Sequence, residues 1–273
     1  MSKVLDQIMS GTLDRRWIFL VMFIMVAFPY INPLFLPIPI SQSTRDFYEL
    51  IDELPDGSTV CFSADFGAGT WAEAGPMGVS MVNYLFQKNL KIVFITFTID
   101  GPPIIEKVVK ESVYSKKREY GVDYANLGYI PGFETGMGTW AADTSVVTVD
   151  YHGNSPKDLE IMKGINRLED FSAVLMIGTT SYDHYIRQWS GKGVPLFVGA
   201  LASGVMLIMP YYETGDFAGY IASIRGAAEL EILTGIPGEG VKRMDATSMM
   251  YIYGFALMVI CQFGLIKRKK KGA

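Results

Sequence analysis

Two uncharged stretches of bilayer length lie near opposite ends of the chain. Residues 17–36 and 247–266 each provide 20 residues without a charged side chain. At about 1.5 Å of rise per residue, such a helix spans roughly 30 Å, which is the thickness of the hydrocarbon core of a bilayer. The pattern therefore predicts two transmembrane helices. Pro29 and Pro33 interrupt the first stretch, so we expect its helix to kink or end near them and to continue as a proline-rich exit to residue 39.

Basic residues flank both stretches on the sides that face the chain termini. Because cations accumulate on the cytoplasmic flank of a membrane helix, both termini are predicted to be cytoplasmic and the main domain extracytoplasmic, on a plasma membrane. No cleavage site of small residues follows the first stretch, which favours a signal anchor over a cleaved signal peptide. The predicted membrane-anchoring residues are Arg15, Arg16, Trp17, Lys267, Arg268 and Lys269.

The predicted organisation has five segments. Apolar residues at helical spacing indicate an interfacial helix in the cytoplasmic N-terminal segment. The segments are this helix (residues 1–16), the first membrane helix with its exit (17–39), an extracytoplasmic domain (40–246), the second membrane helix (247–266) and a basic cytoplasmic tail (267–273).

Within the central domain, apolar runs of strand length alternate with segments of helical periodicity. Strands are predicted at residues 58–65, 91–98, 124–130, 173–177 and 194–200, with a further strand or edge piece at 146–150. Helices are predicted at residues 46–54, 76–89, 104–120, 155–168, 182–189 and 216–233. Alternation of this kind is typical of a mostly parallel sheet with helices on both faces. We therefore predict a single α/β domain with a doubly wound sheet of about five strands, which resembles flavodoxin-like domains in topology alone.

Composition and charge narrow the function classes. With 49% hydrophobic residues, 19% charged residues and a mean hydropathy of +0.23, the chain is too apolar for an ordinary soluble domain and too polar for a multispan transporter. Residues 40–246 contain 16 basic and 26 acidic side chains, a net charge of −10. A domain this acidic repels phosphate backbones, so a nucleic-acid partner is excluded.

The motifs for cofactors and catalysis are incomplete. Gly67 and Gly69 lack the third glycine of a dinucleotide-binding loop and the lysine of a P-loop, so we expect no nucleotide cofactor. His152 and His184 each lie beside an aspartate without a third ligand at fixed spacing, so no metal site is predicted. No Gly-x-Ser-x-Gly elbow is present, and Cys61 within an apolar run is expected to be a buried, inert thiol.

Small polar residues follow the predicted strands, where α/β sheets bind ligands. The crevice lies beyond the carboxyl ends of the strands, and the candidate binding residues there are Asp65, Thr70, Glu73, Asp100, Thr179 and Ser203. In particular, Asp65, Glu73 and Asp100 are expected to converge. The alternative is structural: Asp65 caps the amides of residues 67–69, Asp100 forms a turn, and Glu73 lies in the first turn of a helix.

These observations favour a membrane-anchored accessory or scaffold subunit of a membrane protein complex, which is not an enzyme. Two spans without an internal charge do not form a transport pathway. The expected partners are membrane lipids and other membrane-protein subunits or a second copy of the chain. The alternative function is an extracytoplasmic receptor for a small solute, or a hydrolase, which uses the crevice at the strand ends.

Overall fold

A computed structural model describes the backbone of residues 14–271 and the side chains of residues 14–262. The helices are α1 (Arg15–Ile31), α2 (Gln42–Asp52), α3 (Trp71–Gln87), α4 (Gly101–Glu111), α5 (Glu134–Ala142), α6 (Tyr182–Trp189), α7 (Val205–Glu213), α8 (Ser223–Thr234) and α9 (Glu239–Lys271). The strands are β1 (Thr59–Asp65), β2 (Lys91–Thr96), β3 (Tyr124–Tyr129), β4 (Ala173–Gly178), β5 (Leu196–Ala200) and β6 (Gly219–Ala222).

The chain forms two compact units. Residues 39–240 form an α/β unit, and the segments on either side of them form a terminal unit. The predicted interfacial helix lies almost wholly outside the described residues, as do the side chains of Lys267, Arg268 and Lys269. The predicted boundaries at residues 16, 39, 246 and 266 stay predictions.

All six strands of the α/β unit are parallel and follow the order β3-β2-β1-β4-β5-β6. The predicted α/β class with a doubly wound, parallel sheet is confirmed. This order is that of the dinucleotide-binding sheets. Without the edge strand β3, the remaining strands follow the flavodoxin order. The order reverses between β1 and β4, so the crevice of the sheet lies between the ends of these two strands.

Both faces of the sheet are buried, as the nearly continuous apolar strands require. All six residues of β4 are buried, with Leu175 directed to one core and Val174 to the other. Helices α2, α3, α4 and α8 cover the first face. Helices α5, α6 and α7 cover the second face together with an irregular segment that contributes Ile161 and Leu168.

The sixth strand corrects the predicted count of about five. Residues 216–233 were expected to form one helix, but they contain β6 followed by α8. The strand is short and begins at Gly219, where a Cβ atom would lie 2.7 Å from the backbone nitrogen of Phe47. Glycine at this position lets α2 pack closely against β6, and this tertiary contact leaves no periodic signal in the sequence.

Two other predicted elements are wrong. Residues 146–150 form no strand, and residues 155–168 form short 3₁₀ turns in place of an α-helix. Gly164 has φ +88°, which lies outside the helical region and ends any helix that reaches it. Val146 closes a 3₁₀ turn over Thr144–Val146, and residues 146–150 pair with no strand of the sheet.

The terminal unit contains α1, the extended exit after it, and most of α9. Helix α1 has 17 residues and ends at Ile31, so the predicted first span over residues 17–36 is corrected to a shorter helix followed by extended chain. Pro33 follows this end, in keeping with the expected break. One helix of the described chain, over Glu239–Gln262, is long and apolar enough to cross a membrane.

A buried carboxylate binds the exit within this unit. Asp245 is 2% exposed and accepts hydrogen bonds from the backbone amides of Leu34, Phe35 and Leu36 at 2.8, 3.0 and 3.0 Å. Phe35 has φ +52°, and this turn directs the three amides to one acceptor. The backbone donors of the extended exit are therefore paired without a neighbouring strand.

Candidate functional site

The carboxyl edge of the sheet brings together the loops that follow its parallel strands. The loop after β1 begins at Phe66, the loop after β2 contains Asp100, and the loop after β4 contains Thr179. Three non-glycine residues at this edge have positive φ values: Phe133, Ser181 and Ser223. Conformations of this kind cluster at functional sites, so this edge is the candidate functional surface of the α/β unit.

Asp65 ends β1 at the crevice and is 6% exposed. Its carboxylate accepts hydrogen bonds from the hydroxyls of Ser63 and Tyr185, from the Thr96 hydroxyl at 3.1 Å and from the Phe97 amide at 2.5 Å. Burial raises the pKa of Asp65, although all four donors act to lower it. These donors lie on β1, β2 and α6, so Asp65 joins these elements and does not cap residues 67–69 as the structural alternative expected.

Two further titratable groups are buried beside Asp65. Burial and the Asp65 carboxylate raise the pKa of Tyr185 well above its ordinary value. Burial, followed by the Asp65 carboxylate, also raises the pKa of the Cys61 thiol. Cys61 is fully buried, as the sequence predicted, and its burial disfavours the thiolate, which is the reactive form of a cysteine.

Glu73 bridges two loops of the carboxyl edge. It lies in the first turn of α3, and its carboxylate accepts a hydrogen bond from the Ala202 amide at 2.6 Å. Since β4 lies between β1 and β5 in the sheet, this bond crosses the carboxyl end of β4. Glu73 therefore has a structural partner inside the crevice.

The remaining predicted binding residues lie around the same edge. The Thr70 hydroxyl donates to the carbonyl oxygen of Gly67 at 3.2 Å. Asp100 is exposed, and its carboxylate lies 3.4 Å from the position that a Cβ atom on Gly67 would occupy. Thr179 directly follows β4, and Ser203 is the third residue after β5. The side chains of both make no hydrogen bond among the described residues. A shared ligand for these residues stays a prediction.

An ion-pair network joins α5 to α6 at the same edge. The Glu134 carboxylate contacts His184 Nδ1 and accepts two hydrogen bonds from Arg187, each at 3.0 Å. These contacts, with Arg187 first, lower the pKa of Glu134 to about 2. Arg187 also donates to Asp183 at 2.6 Å. Sequence reasoning missed Arg187, whose spacing of four residues from Asp183 on a helix was the available signal.

The second aspartate–histidine pair forms a turn. Asp150 is 6% exposed and accepts from the Tyr120 hydroxyl at 2.6 Å and from the amides of His152 and Asn154 at 2.9 and 2.7 Å. His152 contacts Glu106 at 3.2 Å. Within the described residues, no group of three side chains is placed to hold a metal ion.

A cleft of about 420 Å³ lies beyond the carboxyl end of the edge strand β3. We call it the β3 cleft. Phe133, which follows the lining residue Gly132 in the chain, has φ +49° and ψ −117°, a conformation that bulky residues rarely adopt. The cleft is lined by uncharged residues: Tyr129, Ile130, Pro131, Gly132, Thr135, Gly136, Thr139, Val146, Val147, Thr148 and Val149.

Large apolar side chains are exposed along the carboxyl edge. Ile99 after β2 is 77% exposed, and Met206 and Leu207 in the first turn of α7 are 75% and 62% exposed. We call these side chains, together with the half-exposed Phe133 after β3, the apolar rim. A partner that covered them would remove apolar area from water.

The edge thus combines acids that are occupied by internal donors with apolar side chains that are open to solvent. Asp65, Glu73 and Glu134 bind donors on neighbouring elements, and the exposed apolar groups provide area for binding. No protein-family model matches the chain, and no curated protein matches its sequence.

Proposed function

We propose that the protein is a membrane-anchored accessory or scaffold subunit whose α/β unit docks another protein through its carboxyl edge. The observation that carries this proposal is the apolar rim, because three of its four side chains are more than 60% exposed. Exposed apolar side chains do not stabilise a monomer in water. A partner that covers them removes apolar area from water, and this burial contributes about 25 cal/mol of binding free energy per Å².

The internal pairing of the acids supports a structural role for this edge. Asp65 is bonded to four donors and Glu73 to the Ala202 amide, so neither is available to a substrate without breaking a contact that holds two loops together. The alternative function, a small-solute receptor or hydrolase at the β1/β4 crevice, requires these same carboxylates. It is therefore the second candidate.

We propose that the membrane anchor has two passes, with both termini in the cytoplasm and the α/β unit outside the plasma membrane. Both chain ends of the α/β unit are bound by α8. The Ser41 amide donates to Glu229 at 3.0 Å, and the Gly240 amide donates to Glu231 at 3.0 Å. Two segments that leave a domain from one helix suit two neighbouring membrane helices. These helices are proposed to contact membrane lipids.

The terminal unit supports a second pass that is formed by α1 together with the extended exit. Helix α1 is about 25 Å long at 1.5 Å per residue, so α1 alone is shorter than the hydrocarbon core of a bilayer. Asp245 pairs three amides of the extended chain that follows it, and unpaired amides are what a bilayer excludes. The Tyr253 hydroxyl donates to the carbonyl oxygen of Ile18 at 2.8 Å, so α9 contacts α1 within this unit.

The test is the native mass of the full chain purified in a mild detergent. We expect a complex, either with a second protein or with further copies of the chain. Replacing both Met206→Ser and Leu207→Ser is expected to release the partner, because both side chains belong to the apolar rim. The matched control is Val113→Ser, since Val113 is 61% exposed after the far end of α4. A single, monodisperse chain from the native membrane contradicts the proposal.

A further inference from the structure

The chain enters the α/β unit close to its carboxyl edge. Helix α8 directly follows β6, which is parallel to the other strands, so Ser223 at the start of α8 lies at this edge. In the first turn of α8, Arg225 donates to the carbonyl oxygen of Pro39 at 3.3 Å. One turn further along α8, Glu229 accepts from the Ser41 amide at 3.0 Å. From Pro39 to Ser41 the chain therefore runs along α8 away from the carboxyl edge.

The C-terminal end of the α/β unit turns back towards the same edge. After α8, the Ile236 amide donates to the carbonyl oxygen of Glu231 at 3.1 Å. Four residues later, a Cβ atom on Gly240 would lie 2.6 Å from the backbone nitrogen of Ala228. Ala228 lies nearer the start of α8 than Glu231 does, so the chain moves along α8 towards the carboxyl edge as the unit ends.

The apolar rim lies at this same edge. Ile99 and Phe133 belong to the loops after β2 and β3, and Met206 and Leu207 begin α7 after β5. With the two-pass anchor proposed above, the membrane lies on the side of the α/β unit where both of its chain ends are directed. The carboxyl edge is then the side of the unit that faces the bilayer.

Charge distinguishes between lipid and protein as the occupant of the apolar rim. Surfaces that bind lipid headgroups carry lysine and arginine, which attract anionic lipids. The loops after β1 to β5 contain the acidic Asp100 and no basic residue, and the charged residue of α7 is Glu213. Residues 39–240 contain 14 basic and 25 acidic side chains, a net charge of −11. A lipid surface is therefore disfavoured, and a protein that is embedded in the membrane is favoured.

We propose that the apolar rim binds an integral membrane protein at the level of the bilayer surface, on the side of the α/β unit that faces the membrane. This inference rests on the proposed function and names the class of its partner. Anchoring of both proteins in one membrane raises their effective concentration, so a contact of a few apolar side chains is sufficient to hold them together.

The first test measures which edge of the α/β unit faces the bilayer. The purified full chain with Cys261→Ser receives one exposed cysteine, either at the carboxyl edge (Ser203→Cys) or, as the matched control, before the amino end of β1 (Asp56→Cys). Each variant is labelled with a fluorophore in phosphatidylcholine vesicles whose headgroups carry a short-range quencher. The seven residues of β1, at about 3.3 Å each, separate the two edges by roughly 20 Å. We expect at least twofold more quenching at position 203 than at position 56.

The second test identifies what covers the apolar rim in the native membrane. A benzophenone on the same two cysteines is irradiated, and the membranes are washed with alkaline carbonate, which removes proteins that are not embedded. We expect a cross-link from position 203, and not from position 56, to a protein that stays in the washed membrane. Adding Met206→Ser with Leu207→Ser is expected to reduce this product at least tenfold, whereas adding Val113→Ser leaves it within about twofold.

The outcomes separate this inference from the proposed function. Equal quenching at both positions, or cross-links from position 203 to lipid alone, overturns the inference. If a complex purifies in detergent but its cross-linked partner is removed by carbonate, the proposed function stands and the inference fails. A single chain in detergent refutes the proposed function and, with it, the assignment of the apolar rim to a partner protein.

Discussion

Removal of the Asp65 carboxylate tests whether this residue is a structural junction. In Asp65→Ala, the hydroxyls of Ser63 and Tyr185 lie 3.2 Å apart and Thr96 lies 3.0 Å from the Thr98 hydroxyl, so these groups keep partners. The buried Phe97 amide has no replacement acceptor. We expect this orphaned amide to cost about 1–3 kcal/mol, and the weakened hydroxyl contacts to bring the total loss to about 3 kcal/mol.

The assay is thermal unfolding of the full chain in detergent, followed by circular dichroism. For a unit of this size, 1 kcal/mol lowers Tm by roughly 2–4 °C, so Asp65→Ala is expected to lower Tm by about 6–12 °C. Asp65→Asn keeps one carbonyl oxygen for the Phe97 amide and is expected to lower Tm by less. The control is Asp100→Ala, which removes an exposed carboxylate without a hydrogen bond among the described residues. Equal Tm values for the Asp65 and Asp100 variants would refute the reasoning.

Three other predictions use the same assay. Glu134→Gln tests the pH dependence of stability. Contacts lower the pKa of Glu134 in the folded chain to about 2 from 4.5, so the stabilisation by its carboxylate is present above pH 4.5 and is lost as pH falls towards 2. The Tm values of the wild type and of this variant should therefore converge as pH falls towards 2, and a difference in Tm that stays constant with pH would contradict this. Glu229→Ala removes the acceptor of the half-buried Ser41 amide at the start of α2, while the Thr44 hydroxyl keeps the Ser41 hydroxyl at 2.9 Å as a partner. We expect a loss of about 1–3 kcal/mol, and an unchanged Tm would contradict this. Gly219→Ala places a Cβ atom 2.7 Å from Phe47 and should cost about 1–3 kcal/mol, whereas Gly69→Ala meets nothing within 4 Å and serves as the control.

Much of the fold could be predicted because its strands are buried on both faces. Runs such as 91–98 and 173–177 are apolar and β-branched, and this composition distinguishes them from the helices between them. Helix α6 was predicted with its observed ends, because Trp189 is followed by a glycine-rich turn. The parallel arrangement then follows from the connections alone.

The errors come from contacts that no local pattern records. Strand β6 depends on the close approach of α2 at Gly219, and residues 146–149 have strand composition but pair with no strand of the sheet. At the carboxyl edge, Asp65 ends β1 and Glu73 lies in the first turn of α3, but their partners Phe97 and Ala202 lie 32 and 129 residues away. Sequence reasoning identified the acids and could not identify the amides that occupy them.

We propose above all that the α/β unit is anchored to a membrane and lies outside it, where a partner meets its carboxyl edge. Labelling of a single introduced cysteine with a membrane-impermeant maleimide tests this most directly. Lys157→Cys provides an exposed site in the α/β unit, while native Cys61 is fully buried. We expect the maleimide to label the variant, and not the wild type, in intact cells. Labelling that occurs only after lysis would contradict it.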